Sequence, residues 1–576
     1  MAKYLPFLIV FVIASFLRFY HLDNRGLFTD EKFTMLNANG YWVGAANQEG
    51  IINKKYFTPQ DFWQNKGAND FMEAIAHSDF GTHIVYNTIL HFWMRIFGNS
   101  DYTVRLLGLL FNLFTIGLLY WAVLKYSRSI LAALFAAFIL AIDPLNVAMS
   151  HIARSYTLSF FLMTVATIFF FDIIENHRKN KNTNLLFVLY ALFVGLGLLN
   201  HYLNFLVPLS HAITFLFIKN KKALWSRFIL AAVFCAGLMV YWFNWGGGYT
   251  AFEFLKDKNA KHLKIAQMTE GALKDLIQLS TPENVTKKSI GLFFDSTIFS
   301  LGIFNEIKGV KNVILSLLVF IIGILYFHFH KKHKWAIGIL ILILPILYLL
   351  KSVLPSLAVV LFFYATIYFI IKNLFDHFKT ENHDFPMLMV GFLMLVLPII
   401  FVIYDAIKNG HTTSLVHRYI GISTPFVAMV FGFSIYKMIV KSKYFLAWLV
   451  IVILLQIKPV STEILDYFND KSAMNAFFEP ARVPNPYKTL AEIVIKNYEK
   501  GDTLMIPGGH KNDYVATFDD VAPVSYLDVQ YLNLYLPRQS GILQSVDVKE
   551  KDKVTLHKKD GNKVELFDFE GIKYRY

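Results

Sequence analysis

The chain has 576 residues, 55% of them hydrophobic and 16% aromatic, with a mean hydropathy of +0.45 and a net charge of +14. A soluble protein of this length does not carry so many separate apolar runs, so composition excludes the soluble classes and indicates a polytopic membrane protein. The basic residues fall in short segments between apolar runs, which is how membrane topology is written, so the charge does not call for nucleic acid. The single cysteine, Cys235, lies inside an apolar run and rules out an internal disulfide.

Lys3 and the apolar run Tyr4 to Leu17 have the outline of a signal peptide. Arg18 follows directly and no small-x-small cleavage site is present, so the run reads as an uncleaved first span. About ten residues beyond it, Gly26-Leu27-Phe28-Thr29-Asp30-Glu31-Lys32-Phe33 presents two adjacent carboxylates. Read locally, this is a solvated loop entering a helix, with Thr29 or Asp30 as its N-cap.

Apolar runs long enough to span lie near 4–20, 104–124, 129–147, 155–174, 185–200, 203–218, 228–245, 312–330, 335–350, 353–371, 386–404, 419–437 and 444–458. The run 83–97 differs, because His83, Asn87, His91 and Arg95 recur every four residues and line one helical face. That pattern predicts an amphipathic helix lying at the membrane interface. With 83–97 flat, thirteen spans remain, and the connections at 125–128, 178–181, 219–227, 331–334, 372–379 and 437–443 fall inside, where their lysines and arginines belong. If 83–97 spans, the bias reverses from Lys125 onward.

The expected architecture is therefore an all-α polytopic membrane protein of about thirteen helices, N-terminus inside. Residues 1–458 form the membrane domain, with outer loops at 21–103, which carries interfacial helices, and 246–311. Residues 459–576 form a small soluble α/β domain outside, beginning at Pro459, with a helix over 487–498 and strands at 503–506 and 564–569. The membrane region shows no internal repeat, which argues against a transporter assembled from repeated halves.

Under this topology the polar residues of the outer side gather near span ends, at one depth, where they line a cavity. They are Asp30, Glu31, Asp79, His83, Arg105, His151, Arg154, Tyr156, His201, Lys351, His417, Arg418 and Tyr419. For Arg105, Lys351 or Arg418 alone, the competing reading is an interfacial anchor. Arg154 is stronger, because His-Ile-Ala-Arg-Ser-Tyr is more polar than anchoring requires. His328, His330 and His333 have a metal-ligand spacing but fall in an inner basic loop, so no metal site is predicted there. A carboxylate pair beside Arg, Lys and His suits group transfer from an anionic lipid-linked donor. The carboxylate removes the acceptor hydroxyl proton, the cations hold the donor phosphate, and a sugar would pass through an oxocarbenium-like state. With so many side-chain cations no cofactor is required; a divalent metal is compatible but not predicted.

Several stretches carry a family resemblance: Leu17-Arg18-Phe19-Tyr20, Phe28-Thr29-Asp30-Glu31, His83 to Trp93, Phe97-Gly98-Asn99-Ser100, Val104-Arg105-Leu106-Leu107, Ala153-Arg154-Ser155-Tyr156 and His417-Arg418-Tyr419-Ile420. Together they resemble the membrane glycosyltransferases of the GT-C superfamily, in the group of the dolichyl-phosphate-mannose protein mannosyltransferases and aminoarabinose lipid A transferases. The resemblance covers the first 220 residues or so well and the remainder loosely. It implies a polyprenyl-phosphate sugar donor, transfer on the outer face of a bacterial inner membrane, Asp30 as catalytic base, Glu31 as its neighbour, and Arg105 near the donor phosphate. Where relatives have His-Pro-Pro-Leu, this chain has Asp79-Phe80-Gly81-Thr82-His83-Ile84, without the prolines that would stiffen the turn.

The sequence therefore predicts a glycosyltransferase moving a sugar from a polyprenyl-phosphate donor to a hydroxyl of a lipid, glycan or protein. Asp30 and Glu31 are the catalytic pair; Arg105, Arg154, Lys351 and Arg418 are phosphate ligands. Asp79, His83, His151, Tyr156, His201, His417 and Tyr419 are substrate contacts. The rival reading is a lipid-phosphate or glycan flippase, which requires polar residues deep inside several spans. A receptor-like role for the tail leaves the first outer loop unexplained.

Overall fold

The computed structural model describes residues 5–24, 26–44, 46–64, 66–219, 221–268, 277–329, 343–380, 382–469, 485–509 and 526–572. Among them, eight helices are long and apolar enough to cross a membrane: Asp101–Ser127, Tyr156–Arg178, Lys222–Trp245, Val310–Phe329, Lys351–Thr380, Phe385–Asn409, His417–Lys441 and Lys443–Phe468. A ninth span is made by Ile130–Ile142 and Pro144–Ser150 if that pair, bent by 62°, is counted as one. Leu5–Phe19, Asn184–Asn200 and Tyr202–Leu216 are shorter apolar helices at other predicted spans. Of the predicted 335–350 span only 343–350 is described, with a helix over Ile343–Leu349, and His330 and the 331–334 connection with His333 lie outside the described residues.

His417–Lys441 is the most enclosed of the long helices, with 89% of its apolar window buried. It packs on Ile130–Ile142 through small residues: a Cβ at Gly432 would lie 2.4 Å from the Ala136 backbone nitrogen. Without a hydrophobic drive between helices in lipid, such close backbone approach is what holds them. The 62° break has a local cause. The Asp143 carboxylate accepts from Asn146 N at 2.7 Å as an N-cap, and Pro144 occupies the first position of the new helix. The break strands the last carbonyls of Ile130–Ile142, and buried Arg18 takes them up. Its guanidinium donates to Leu140 O (3.2 Å) and Ala141 O (2.8 Å), and to the side-chain oxygens of Asn112 (2.6 Å) and Asn146 (3.0 Å).

The helix expected at 83–97 is present as Ile84–Phe97. The first half of its polar face turns into the protein, with His83 and Asn87 buried and His91 half-buried, while Arg95 at its far end is exposed with Phe92, Ile96 and Phe97. An apolar outer face with polar groups beneath suits a helix roofing a polar site at a lipid boundary.

The C-terminal unit is a four-stranded mixed sheet of order β2-β1-β3-β4, with β1 Thr503–Pro507, β2 Gln544–Asp547, β3 Lys553–His557 and β4 Lys563–Asp568, flanked by the helices Pro486–Asn497 and Leu527–Asn533. Strand β1 runs parallel to β2 and antiparallel to β3. The expected boundary at Pro459 is corrected, since the last long helix continues through it to Phe468. A proline removes one donor, and a long apolar helix tolerates that loss at membrane depth. The unit is docked on the segment between the first helix and Ile84–Phe97. Phe57 and Gln544 exchange backbone hydrogen bonds of 3.0 and 2.7 Å, Trp63 Nε1 donates to Asn533 O at 3.0 Å, and Gln530 Nε2 donates to Trp42 O at 2.7 Å.

Candidate active site

The helix Thr29–Ala38 begins at Phe28, whose extended backbone (φ −84°, ψ 169°) makes it the N-cap residue in place of the expected Thr29 or Asp30. Phe28 has no side-chain acceptor to offer the helix, and Glu31 reaches back instead to accept from Phe28 N at 3.0 Å, as the third residue of a capping box does. Glu31 and Arg105 are both 0% exposed. Glu31 Oε1 accepts from Arg105 Nε and Ala153 N, each at 2.9 Å, and Oε2 accepts from Arg105 Nη2 at 2.9 Å as well as from Phe28 N. Those four bonds fill the acceptor sites of a carboxylate. The remaining reach of Arg105 goes to Leu22 O (3.0 Å) and Gly26 O (2.9 Å). Sequence reasoning put Glu31 with the base and Arg105 at the donor phosphate. In the structure the two pair with each other, in a buried fork that ties the segment after the first helix to the helix Asp101–Ser127 and to the turn at Ala153.

Asp30 is half-buried. Its carbonyl accepts from Thr34 Oγ1 (2.8 Å) and Arg154 Nη1 (3.2 Å), while its carboxylate accepts no hydrogen bond among the described residues. The charges and hydroxyls that feel that carboxylate are His83, Arg154, Tyr156, Arg418 and Tyr419, drawn from three separate parts of the chain. Arg418 Nη2 lies 3.4 Å from the Tyr419 hydroxyl.

Asp79 anchors the back of this group. It accepts from Arg154 Nη1 and Nη2 at 3.1 Å and from Asn37 Nδ2 at 3.0 Å, and its Oδ2 is 3.6 Å from His83 Nδ1. Burial pushes the Asp79 carboxyl up, but Arg154 and His83 override it and hold the group well below the usual carboxylate range. Arg154 thus carries Asp79 as well as the Asp30 carbonyl. The turn that lacks prolines is made by positive φ at Phe80 (53°), Gly81 (74°) and His83 (70°). A Cβ at Gly81 would meet Gly247 O at 2.3 Å, so only glycine admits the close pass, and Trp242 Nε1 fixes it by donating to Gly81 O at 2.9 Å.

His83 Nδ1 is 2.7 Å from Thr82 Oγ1, and its Nε2 is buried with no hydrogen-bond partner among the described residues. Burial and Arg154 lower its basicity against the pull of Asp79. Its ring lies 5.5 Å from His201, which lies 5.9 Å from Tyr156. Burial, then His83, Arg154 and Arg418, push His201 down to about 3. Both imidazoles are neutral at physiological pH and act through hydrogen bonds.

Three expected residues stand elsewhere. His417 Nε2 is 3.0 Å from Asp295 Oδ2, a strut to the second outer loop. His151 packs on Tyr467 and Phe468, with ring centroids 5.6 and 5.9 Å away. Lys351 is exposed over the Tyr348 ring at 4.7 Å, outside the group around Asp30. Conversely, the structure adds cations that sequence reasoning did not single out. Lys258, on the helix Ala251–Gln267, influences Tyr419 and His262. Lys288 donates to Thr412 Oγ1 at 2.9 Å, and burial lowers it to about 8. Lys32, beside the acidic pair, is 1% exposed and lies over the rings of Tyr531 (4.6 Å) and Tyr487 (5.0 Å) from the C-terminal unit. The lysine-rich run containing Lys258 gave no spacing to distinguish it, and the Lys32 cage spans more than 450 residues of sequence.

The site thus joins one open carboxylate, a flanking arginine, two neutral imidazoles and two tyrosines. Such a set can take a proton from a hydroxyl and hold an anion beside it.

Residues 82–245, which include His83, Arg105, Arg154, Tyr156 and His201, match the family described as dolichyl-phosphate-mannose-protein mannosyltransferase. No curated protein matches the sequence. Among solved structures, the chain is similar to the archaeal oligosaccharyltransferase AglB from Archaeoglobus fulgidus in complex with an inhibitory peptide and a dolichol-phosphate. The identity is 14% and the TM-score 0.45, over 94% of this chain and 61% of that one, so this chain spans about three-fifths of the archaeal protein's length. It is also similar to ArnT from Cupriavidus metallidurans in the apo state (14% identity, TM-score 0.35, 91% of this chain and 84% of that). Bound to undecaprenyl phosphate, the same protein gives 14% identity and a TM-score of 0.34, over 92% and 85%.

Proposed function

We propose that this chain is a membrane glycosyltransferase of the GT-C type, moving a sugar from a polyprenyl-phosphate donor to an acceptor hydroxyl, with Asp30 as general base. The observation that carries the reading is the Asp30 carboxylate, unbonded by any described residue and facing Arg418, Tyr156 and Tyr419. The family match over residues 82–245 supports it. In the reaction the acceptor oxygen attacks the anomeric carbon as Asp30 takes its proton, and the bond from that carbon to the phosphate oxygen breaks. The polyprenyl phosphate leaves with the electron pair, and Arg418 offsets the charge growing on it. His83 and His201, being neutral, orient sugar or acceptor hydroxyls without competing for the phosphate. Glu31 and Arg105 hold the Asp30 helix against the bundle, and Arg154 with Asp79 fixes its backbone.

The charge bias of the connections supports placing this site on the outer side, with the N-terminus inside and the C-terminal unit outside, in a bacterial inner membrane. The acceptor is a lipid, glycan or protein hydroxyl, and no metal is part of the proposal. The test supplies purified full-length protein with polyprenyl-phosphate sugars and membrane extract, and follows labelled sugar into product. The reading expects transfer by the wild type and its loss in Asp30→Asn. Equal transfer by both removes Asp30 as base. Carriage of lipid-linked sugar across liposomes, undiminished in Asp30→Asn and without product, favours the flippase reading.

A further inference from the structure

The turn after Asp79 is tied to the end of the helix Asn184–Asn200: His83 N donates to Asn200 O at 3.2 Å and Tyr86 N to Asn200 Oδ1 at 3.1 Å. This tie sets His83 beside His201, and the bonds made by the Nδ1 of each ring decide where its proton sits. Thr82 Oγ1 donates its own proton to Asp79 O at 2.7 Å, so toward His83 Nδ1, also 2.7 Å away, it accepts. The Asp79 carboxylate, 3.6 Å from the same nitrogen, favours a proton there as well. His83 is therefore the Nδ1–H tautomer, and its Nε2 is a bare lone pair, buried with no hydrogen-bond partner among the described residues. At His201 the assignment is reversed. Leu203 N donates to its Nδ1 at 3.2 Å, and a backbone N–H cannot accept, so this neutral ring carries its proton on Nε2.

Neighbouring imidazoles thus offer one acceptor and one donor, fixed by the fold before a substrate arrives. A sugar phosphodiester anion has no proton to give His83 Nε2, whereas a hydroxyl has a proton for His83 and lone pairs for His201. The pair also borders the two groups between which a transferred sugar has to lie, since Asp30 acts on His83 and Arg418 on His201. We propose that His83 Nε2 accepts a hydrogen bond from a ring hydroxyl of the transferred sugar while His201 Nε2–H donates to an oxygen of the same sugar, so that the pair selects for a hydroxyl at one ring position. The proposal rests on the glycosyl-transfer reading above and adds which hydroxyl chemistry each imidazole reads. A sugar lacking that hydroxyl leaves the His83 lone pair buried and unpaired, which is how a site rejects an analogue most strongly.

The test reads binding, so that an absence of transfer, which would sink the transfer reading, leaves it standing. Full-length protein in detergent is offered polyprenyl-phosphate mannose, glucose or arabinose, and retained lipid is counted by native mass spectrometry against polyprenyl phosphate alone. The parent sugar retained best is then compared with its singly deoxygenated and deoxyfluorinated forms. Wild type should retain one deoxy sugar at least about tenfold less than the parent, with the fluoro form, which cannot donate, as poor. Asparagine supplies a donor on the Nδ1 side but nothing at the place of Nε2, and it tolerates the positive φ of His83 (70°). His83→Asn should lose the discrimination, and His83→Gln, whose amide reaches the place of Nε2, should recover part of it. Discrimination unchanged in His83→Asn overturns the proposal. A wild type that is indifferent to every deoxygenation, or that retains no parent sugar above polyprenyl phosphate alone, assigns the lone pair to water and overturns it too. If the variants lose their thermal transition, the wild-type pattern decides: a fluoro form as poor as the deoxy form at one position supports the proposal, and fluoro forms that recover at every position overturn it.

Discussion

Glu31 and Asp30 are joined by one peptide bond, yet their surroundings are built on opposite plans. Around Glu31 every oxygen is occupied, its arginine is spent on it, and neither side chain is exposed. Around Asp30 the backbone is pinned by Thr34 and Arg154 while the carboxylate is left open to Arg418, Tyr156 and Tyr419. The helix explains the division. Successive side chains leave it about 100° apart, so one acid is enclosed in the bundle while its neighbour stays half-buried. A filled carboxylate gives up no acceptor site without breaking its buried ion pair, and an open one anchors nothing. The first region fixes geometry and the second is free for chemistry.

The largest effect that would break this contrast lies on the filled side. Arg105→Ala leaves Glu31 buried and unpaired, which should cost on the order of 3–5 kcal/mol of stability. It should appear as a much lower thermal midpoint and poor recovery of the purified protein, and a midpoint within error of wild type would mean the pair holds nothing. On the open side, Arg418→Gln should reduce transfer roughly 100-fold, about 2.7 kcal/mol of transition-state stabilisation, with little change in thermal midpoint. A rise in KM alone, with kcat kept, would place Arg418 in ground-state binding.

A smaller effect follows from the imidazoles. His201 is held down to about 3 in the fold, whereas an unfolded histidine titrates near 6.5. As pH falls below about 6.5 the unfolded chain takes up a proton that the folded site refuses, so stability declines across that window by up to about 1 kcal/mol per pH unit. Melting between pH 7 and 5 should show the slope, and His201→Asn should lessen it by one proton's share, since His262 and His83 are lowered too. The smallest effect is at Lys32, where replacement by Met removes its cation–π contacts with Tyr487 and Tyr531, about 1 kcal/mol in total. It should quicken proteolysis between the first outer loop and the C-terminal unit, and an unchanged rate would show that the cage does not couple them.

The sequence made some parts of this contrast legible and concealed others. The membrane helices were readable because apolar runs of that length have few alternatives, and the described helices fall at the predicted runs. The polar face of Ile84–Phe97 was readable from its spacing, but spacing does not say which face turns inward. Asp30 stood out through its position after the first span and the family resemblance, and the family match, over 82–245, does not extend to it. The pairing of Arg105 with Glu31 was not legible because it joins residues 74 apart, and nothing local shows that two such charges will meet. The contact of His417 with Asp295 was hidden in the same way, its partner lying 122 residues upstream. At Pro459 a local rule about helix breakers lost to the continuity of a long apolar helix.

The account rests on Asp30 working and Glu31 holding, and one paired measurement bears on it most directly. Thermal midpoint and initial rate of sugar transfer are taken on the same preparations of wild type, Asp30→Asn and Glu31→Gln. The account predicts that Asp30→Asn keeps its midpoint and loses transfer by at least about 100-fold, the usual contribution of a positioned base, while Glu31→Gln loses its midpoint. An Asp30→Asn protein that transfers at the wild-type rate, or a Glu31→Gln protein that melts like wild type but is inactive, would contradict it.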